Sequence, residues 1–191
     1  MKITTKQITT TAVLLAICIM SQYFKSMSPY SQYITGPIVN ATLIIATLLA
    51  GLMSGVVISI ISPITAFFFT GSPIMAGIPL MFPLIMAGNM IIVFFTYFFS
   101  NKAKFPFHLE IGLVLGSIVK AAFMGLLVIY IIFPNFGNNI GARLPKPEAL
   151  PKVLEAAKIT FSITQLITAL LGSALAYIIL NPLKKVIQKE L

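Results

Sequence analysis

Four polar side chains stand inside long apolar stretches of this sequence: Asn40, Asn89, Lys120 and Gln165. Lys120 carries the largest physical consequence. It lies within Leu109 to Phe133, LEIGLVLGSIVKAAFMGLLVIYIIF, where Glu110 is the only other charged residue. As a helix this stretch would be about 37 Å long, with Lys120 roughly 16 Å from one end and 20 Å from the other. A lysine can snorkel only part of that distance through hydrocarbon. Lys120 is therefore expected to face the protein interior or a cavity.

The only acids are Glu110, Glu148, Glu155 and Glu190, and none falls in the middle of an apolar segment. An acidic partner for Lys120 is not expected. Three structural roles compete for such a lysine: pairing with an acid, for which no partner is expected; burial as a neutral amine; or rest on backbone carbonyls or partial snorkelling. A functional role competes with them, contact with a polar or anionic ligand, because an ionisable group at membrane depth is by default a functional one. Asn89 and Gln165, taken singly, fit interhelical hydrogen bonds. Together with an unpaired lysine, and with Asn40, they read as the polar points of a ligand pocket towards the outer face. Ser117 and Met124 share the face of Lys120 at three- and four-residue spacing.

The elements that must position these residues are membrane spans. Apolar residues make up 58% of the chain and charged residues 9%, and residues 26–101 carry no charge. Such a composition specifies an all-α polytopic membrane protein, a lipid-embedded single domain over 1–191. The pattern predicts six helices near 7–24, 37–50, 56–69, 79–99, 109–133 and 151–181. Pro37 suits a first helical position, and Gly51 to Gly55 a tight turn. The second and third segments are then short, and the sixth is long enough that one end should project. The apolar run after Lys2 and Lys6 is read as an uncleaved first helix.

The net charge of +9 does not point to nucleic acid, because the cations sit at segment ends. Six spans place Lys2, Lys6, Lys102, Lys104, Lys184, Lys185 and Lys189 on one side and Lys25, Arg143, Lys146 and Lys152 on the other. The positive-inside rule then predicts both termini in the cytoplasm.

Enzyme chemistry is not expected. One histidine, His108, one cysteine, Cys18, and no aspartate build neither a triad nor a zinc site. No metal or cofactor is implied. There is no Walker A motif, and no carboxylate or histidine at depth to couple a proton. Two strips of small residues suit close helix approach: Ala12 and Ala16 in the first segment, and Ala169, Gly172, Ser173 and Ala176 in the sixth. By spacing alone, packing within the bundle is the simpler reading of both.

Taken in order, AVLLA at Ala12 to Ala16, GPIVNATLIIATLLAG at Gly36 to Gly51, PLMFPLIMAGNMIIVF at Pro79 to Phe94, Lys120, and FSITQLITALLGSALA at Phe161 to Ala176 resemble the S components of energy-coupling factor (ECF) transporters. The resemblance covers nearly the whole chain and lies nearest the broad branch with riboflavin- and pantothenate-type members. It implies a prokaryotic cell-membrane subunit that binds a vitamin or related micronutrient under lid-like loops. It also implies a transmembrane coupling subunit and two cytoplasmic ATPases as partners, with Ala12 and Ala16 on the docking surface. A stand-alone secondary transporter or facilitator, using the same polar set as its path, is the alternative.

Overall fold

The computed structural model describes residues 4–24, 31–101 and 107–187, with backbone alone at 101 and 181–187. Among them every regular element is helical. Ten α-helices follow in order: α1 Thr5–Tyr23, α2 Gln32–Ala50, α3 Leu52–Thr70, α4 Pro73–Gly77, α5 Met81–Asn101, α6 His108–Leu127, α7 Phe133–Phe136, α8 Asn138–Gly141, α9 Leu150–Phe161 and α10 Ile163–Ile187. A π-helical turn, Val128–Ile132, carries α6 on into α7. Stretches 32–50, 52–70, 81–100, 108–136 and 147–180 are long and apolar enough to cross a membrane. The chain is a multi-pass membrane protein. α1 packs along α2 and α3, but its four threonines and two glutamines dilute its apolar character.

α1 begins on a capping box. Gln7 N–H donates to Thr4 Oγ1 at 3.3 Å while Thr4 N–H donates to Gln7 Oε1 at 3.0 Å. Two orphan donors of the first turn are thereby satisfied. Elsewhere the buried hydroxyls bond back along their own helices: Thr47 to the Leu43 carbonyl, Ser59 to that of Gly55, Thr96 to that of Ile92. A hydroxyl satisfied locally costs little in an apolar surround.

α2 is the most buried span and packs against α1, α3, α5 and α10. It starts at Gln32, earlier than Pro37 suggests, and holds that proline inside the helix. The extra turn is secured from outside: Thr35 Oγ1 donates to the Ser21 carbonyl at 3.0 Å, and Gly36 lets Thr168 of α10 approach its backbone closely. The turn to α3 is also tighter than the pattern predicts. Gly51 alone makes it, at φ 94°, a region open to glycine at little cost. Gly55 continues the helix, its missing Cβ leaving room for Thr47 and Val93. Both helices thus reach 19 residues, about 28 Å, close to a full hydrocarbon thickness.

The sixth segment differs most. It is not one helix over 151–181: the backbone leaves helical geometry at Ser162, φ −114° and ψ −86°. The break sits on Gly125 of α6, where a Cβ would lie 3.1 Å from that of Ser162. The N-terminal part of the segment folds as α9, which turns Ala157 and Phe161 inward and leaves Lys152, Glu155 and Lys158 exposed. The long connection 134–150 is likewise compact, with Ile140 fully buried and the 139–140 backbone against Gly77.

Two apolar clusters fill the interior. One centres on α2, with Ile44, Ile58, Ile92 and Leu113; the other joins Met75, Met81, Met124, Ile140 and Phe161 under the short helices. The small-residue strip of α10 faces inward, with Ala169 and Ala176 fully buried. At Gly172 a Cβ would stand 2.5 Å from Asn40 Cβ and 2.7 Å from the Pro37 carbonyl oxygen. Backbone cannot yield as a side chain can, so Gly172→Ala is expected to destabilise the protein by about 1–3 kcal/mol. Gly141→Ala, which meets only Leu150 Cδ2 at 3.4 Å, is the control. Thermal unfolding in detergent should show a clear drop for the first and little change for the second; equal midpoints would refute a tight α2–α10 contact.

Candidate ligand site

A cavity of about 470 Å³ opens within one end of the bundle. Its walls come from the C-terminal halves of α1, α3 and α6 and the N-terminal halves of α2, α5 and α10, with α4 and α9 adding to the rim. The long helices alternate in direction, so this end lies opposite the described N-terminus at Thr4 and the C-terminal end of α10. The volume falls in the range of small-molecule sites, about 300–1,000 Å³.

Lys120 stands at its floor and is 3% exposed. Its Nζ donates to Asn40 Oδ1 at 2.6 Å and to Asn89 Oδ1 at 2.9 Å. The lysine thus rests neither on an acid nor on backbone carbonyls, but on two side-chain amides from two other helices. Each amide is oriented by its other end. Asn40 Nδ2 donates to the Gly36 carbonyl at 2.9 Å, and Asn89 Nδ2 donates to Ser62 Oγ at 3.2 Å. With one N–H of each NH2 so engaged, both amides turn oxygen to the lysine. Gly88 permits this geometry, since a Cβ there would meet Met124 Sδ at 2.8 Å and crowd the face of α6 that carries Lys120.

The four polar residues singled out by the sequence, Asn40, Asn89, Lys120 and Gln165, all line this one cavity. Gln165 enters from the first turn of α10, half-buried. Met124 also lines the cavity, whereas Ser117, a turn away, is sealed by the Leu113 carbonyl and Ser173. Further wall residues were not legible. Gln22 donates to the Ser62 carbonyl at 3.0 Å and accepts from Thr65 Oγ1 at 2.6 Å; a buried amide near the end of the first apolar segment was the available signal. Val153, Thr160 and Phe161 reach the cavity only because the chain breaks at Ser162, for which the sequence offers no glycine or proline.

Ala12 and Ala16 lie elsewhere. Both are exposed on the outer face of α1, beside Val13, Ile17 and Met20, while Cys18, Ser21 and Gln22 of the same helix face the interior. No group of three or more potential metal-ligating side chains occurs among the described residues.

A family model described as ECF transporter, substrate-specific component, matches residues 6–183. The chain belongs to this family. ECF substrate-specific components are transporter subunits and not enzymes. Comparison with curated proteins and with solved structures finds no match. For this ECF component the amide–lysine cluster is the chemically distinctive part of the cavity.

A double-mutant cycle tests the cluster. Asn89→Leu strips one acceptor from a buried amine and leaves Ser62 without its donor, at an expected cost of about 1–3 kcal/mol. Combining it with Lys120→Met removes both partners, which can be nearly neutral. The double variant should therefore be more stable than the sum of the singles by at least about 1 kcal/mol. Strict additivity in unfolding midpoints would show that the two side chains do not interact.

Proposed function

We propose that this ECF component binds a vitamin or related micronutrient in the 470 Å³ cavity and hands it to an importer energised by partner ATPases. The observation that carries the reading is the convergence of Asn40, Asn89 and Lys120 on one point of a cavity that Gln165 also lines. In this reading the protein lies in the cell membrane with both termini cytoplasmic, and the cavity faces outside. The cation distribution favours that orientation, although Lys2, Lys25, Lys102, Lys104 and Lys189 fall outside the described residues. A transmembrane coupling subunit and two cytoplasmic ATPases are the partners. Ala12 and Ala16 form the docking strip. Their exposure supports this role over packing within the bundle, and Ala12 also walls an apolar groove of about 310 Å³ with Ile8, Met53 and Val57.

Two experiments test the reading. Single cysteines at Asn138 and Lys185, in a Cys18→Ala background, should label differently in intact cells with an impermeant maleimide. Position 138 should react and 185 should not; labelling of 185 from outside would reverse the orientation.

Ala12→Trp with Ala16→Trp should hold a partner helix away, because helix association in lipid depends on close steric fit. Ligand affinity in detergent should stay within about twofold, the cavity being a separate site, while uptake by vesicles holding the full complex collapses. Parallel loss of both would assign the strip to internal packing. Uptake by the wild-type chain without the ATPases would instead favour a stand-alone transporter.

A further inference from the structure

We infer that the cavity selects a ligand carrying a single carboxylate, which docks on Lys120. This rests on the binding-subunit reading above and names its substrate class. An ammonium has three N–H donors. Asn40 and Asn89 take two of them. Lys120 lines the cavity, and in this proposal the third donor is the one that meets the ligand. Both side-chain contacts present oxygen to Nζ, and the negative ends of two amide dipoles favour an ammonium there. One N–H of Asn40 is held by the Gly36 carbonyl, which can only accept, and one N–H of Asn89 by the Ser62 hydroxyl.

The balance of charge decides the ligand. Among the described residues lining the cavity, Lys120 is the only charged one. Two neutral amides solvate a cation but do not neutralise it, and a buried charge without a counter-ion is costly. A carboxylate cancels that charge one for one, with a charge-assisted hydrogen bond from the third donor. A phosphate monoester, at about −1.5 to −2, would bring a surplus negative charge into walls that hold no second cation. A cationic ligand would meet a like charge. The rest of the cavity lining includes Met75, Ile85, Met124 and Phe161 together with Thr160 and Gln165, which suits an apolar body with a few hydrogen-bonding groups.

The test uses the full-length protein purified from membranes. First, the small molecule released on denaturation is weighed before and after methyl esterification; a net gain of one CH2, a methyl replacing the acid hydrogen, is expected, and no gain overturns the assignment. Second, affinities are measured by calorimetry for matched pairs that differ only at the acid: pantothenate and panthenol, biotin and biotinamide, nicotinate and nicotinamide. At least one acid should bind, and more tightly than its neutral twin by roughly 30-fold or more. That preference should vanish in Lys120→Met and persist in Lys120→Arg. If Lys120→Met does not fold, the wild-type pairs and the esterification still decide. A neutral twin that binds as well as its acid overturns the carboxylate assignment and leaves the binding-subunit reading standing. A protein that releases no molecule and binds none of the six probes removes both.

Discussion

Burying one lysine amine among apolar helices sets a condition that the interior must meet. Several kcal/mol are at stake for an ammonium taken from water without partners. Here the compensation comes from two amide oxygens, 80 and 31 residues away in sequence. Asn40 is anchored to its own helix at the Gly36 carbonyl, and Asn89 to Ser62 of α3. Four helices, α2, α3, α5 and α6, are thereby registered about a single nitrogen. In lipid, where apolar contacts between helices gain little over contacts with acyl chains, such polar ties and close steric fit supply much of the specificity of assembly.

Steric fit does its part around the same point. Gly172 brings α10 onto α2 beside Asn40, Gly36 brings α2 onto Thr168, and Gly88 makes room for Met124 next to Lys120. These close approaches pack the helices tightly around the cluster, next to the cavity that Lys120 lines. The break at Ser162, seated on Gly125, then turns α9 across the rim. Its amphipathic pattern makes sense in that place: Ala157 and Phe161 look inward, and Lys152, Glu155 and Lys158 are exposed.

The chain belongs to a family of substrate-specific transporter components, and its cavity and its small-residue strip on α1 occupy different parts of the bundle. The exposed alanines of α1 lie on the outside of the bundle, well apart in chain and in face from Gln22, which serves the cavity from the same helix. One helix thus carries an inner polar face and an outer small-residue face.

What the sequence determined by itself rests on local, additive properties. Residue-by-residue transfer cost makes a chain with 58% apolar and 9% charged residues a membrane protein, and it makes a lone lysine or asparagine in an apolar run conspicuous. The cluster's members could therefore be picked out singly. Their meeting could not, since it depends on how three helices are rotated about their axes. The same limit applies to the small-residue strips. Ala169, Gly172 and Ala176 are buried while Ala12 and Ala16 are exposed, although the spacing of both strips is equally suited to close packing. Helix ends were decided the same way: Gln32–Gly36 joins α2 because Ser21 and Thr168 receive it, and Ser162 interrupts the last segment because Gly125 leaves a place for the break. Periodicity states which residues share a face; only tertiary contacts state what that face meets.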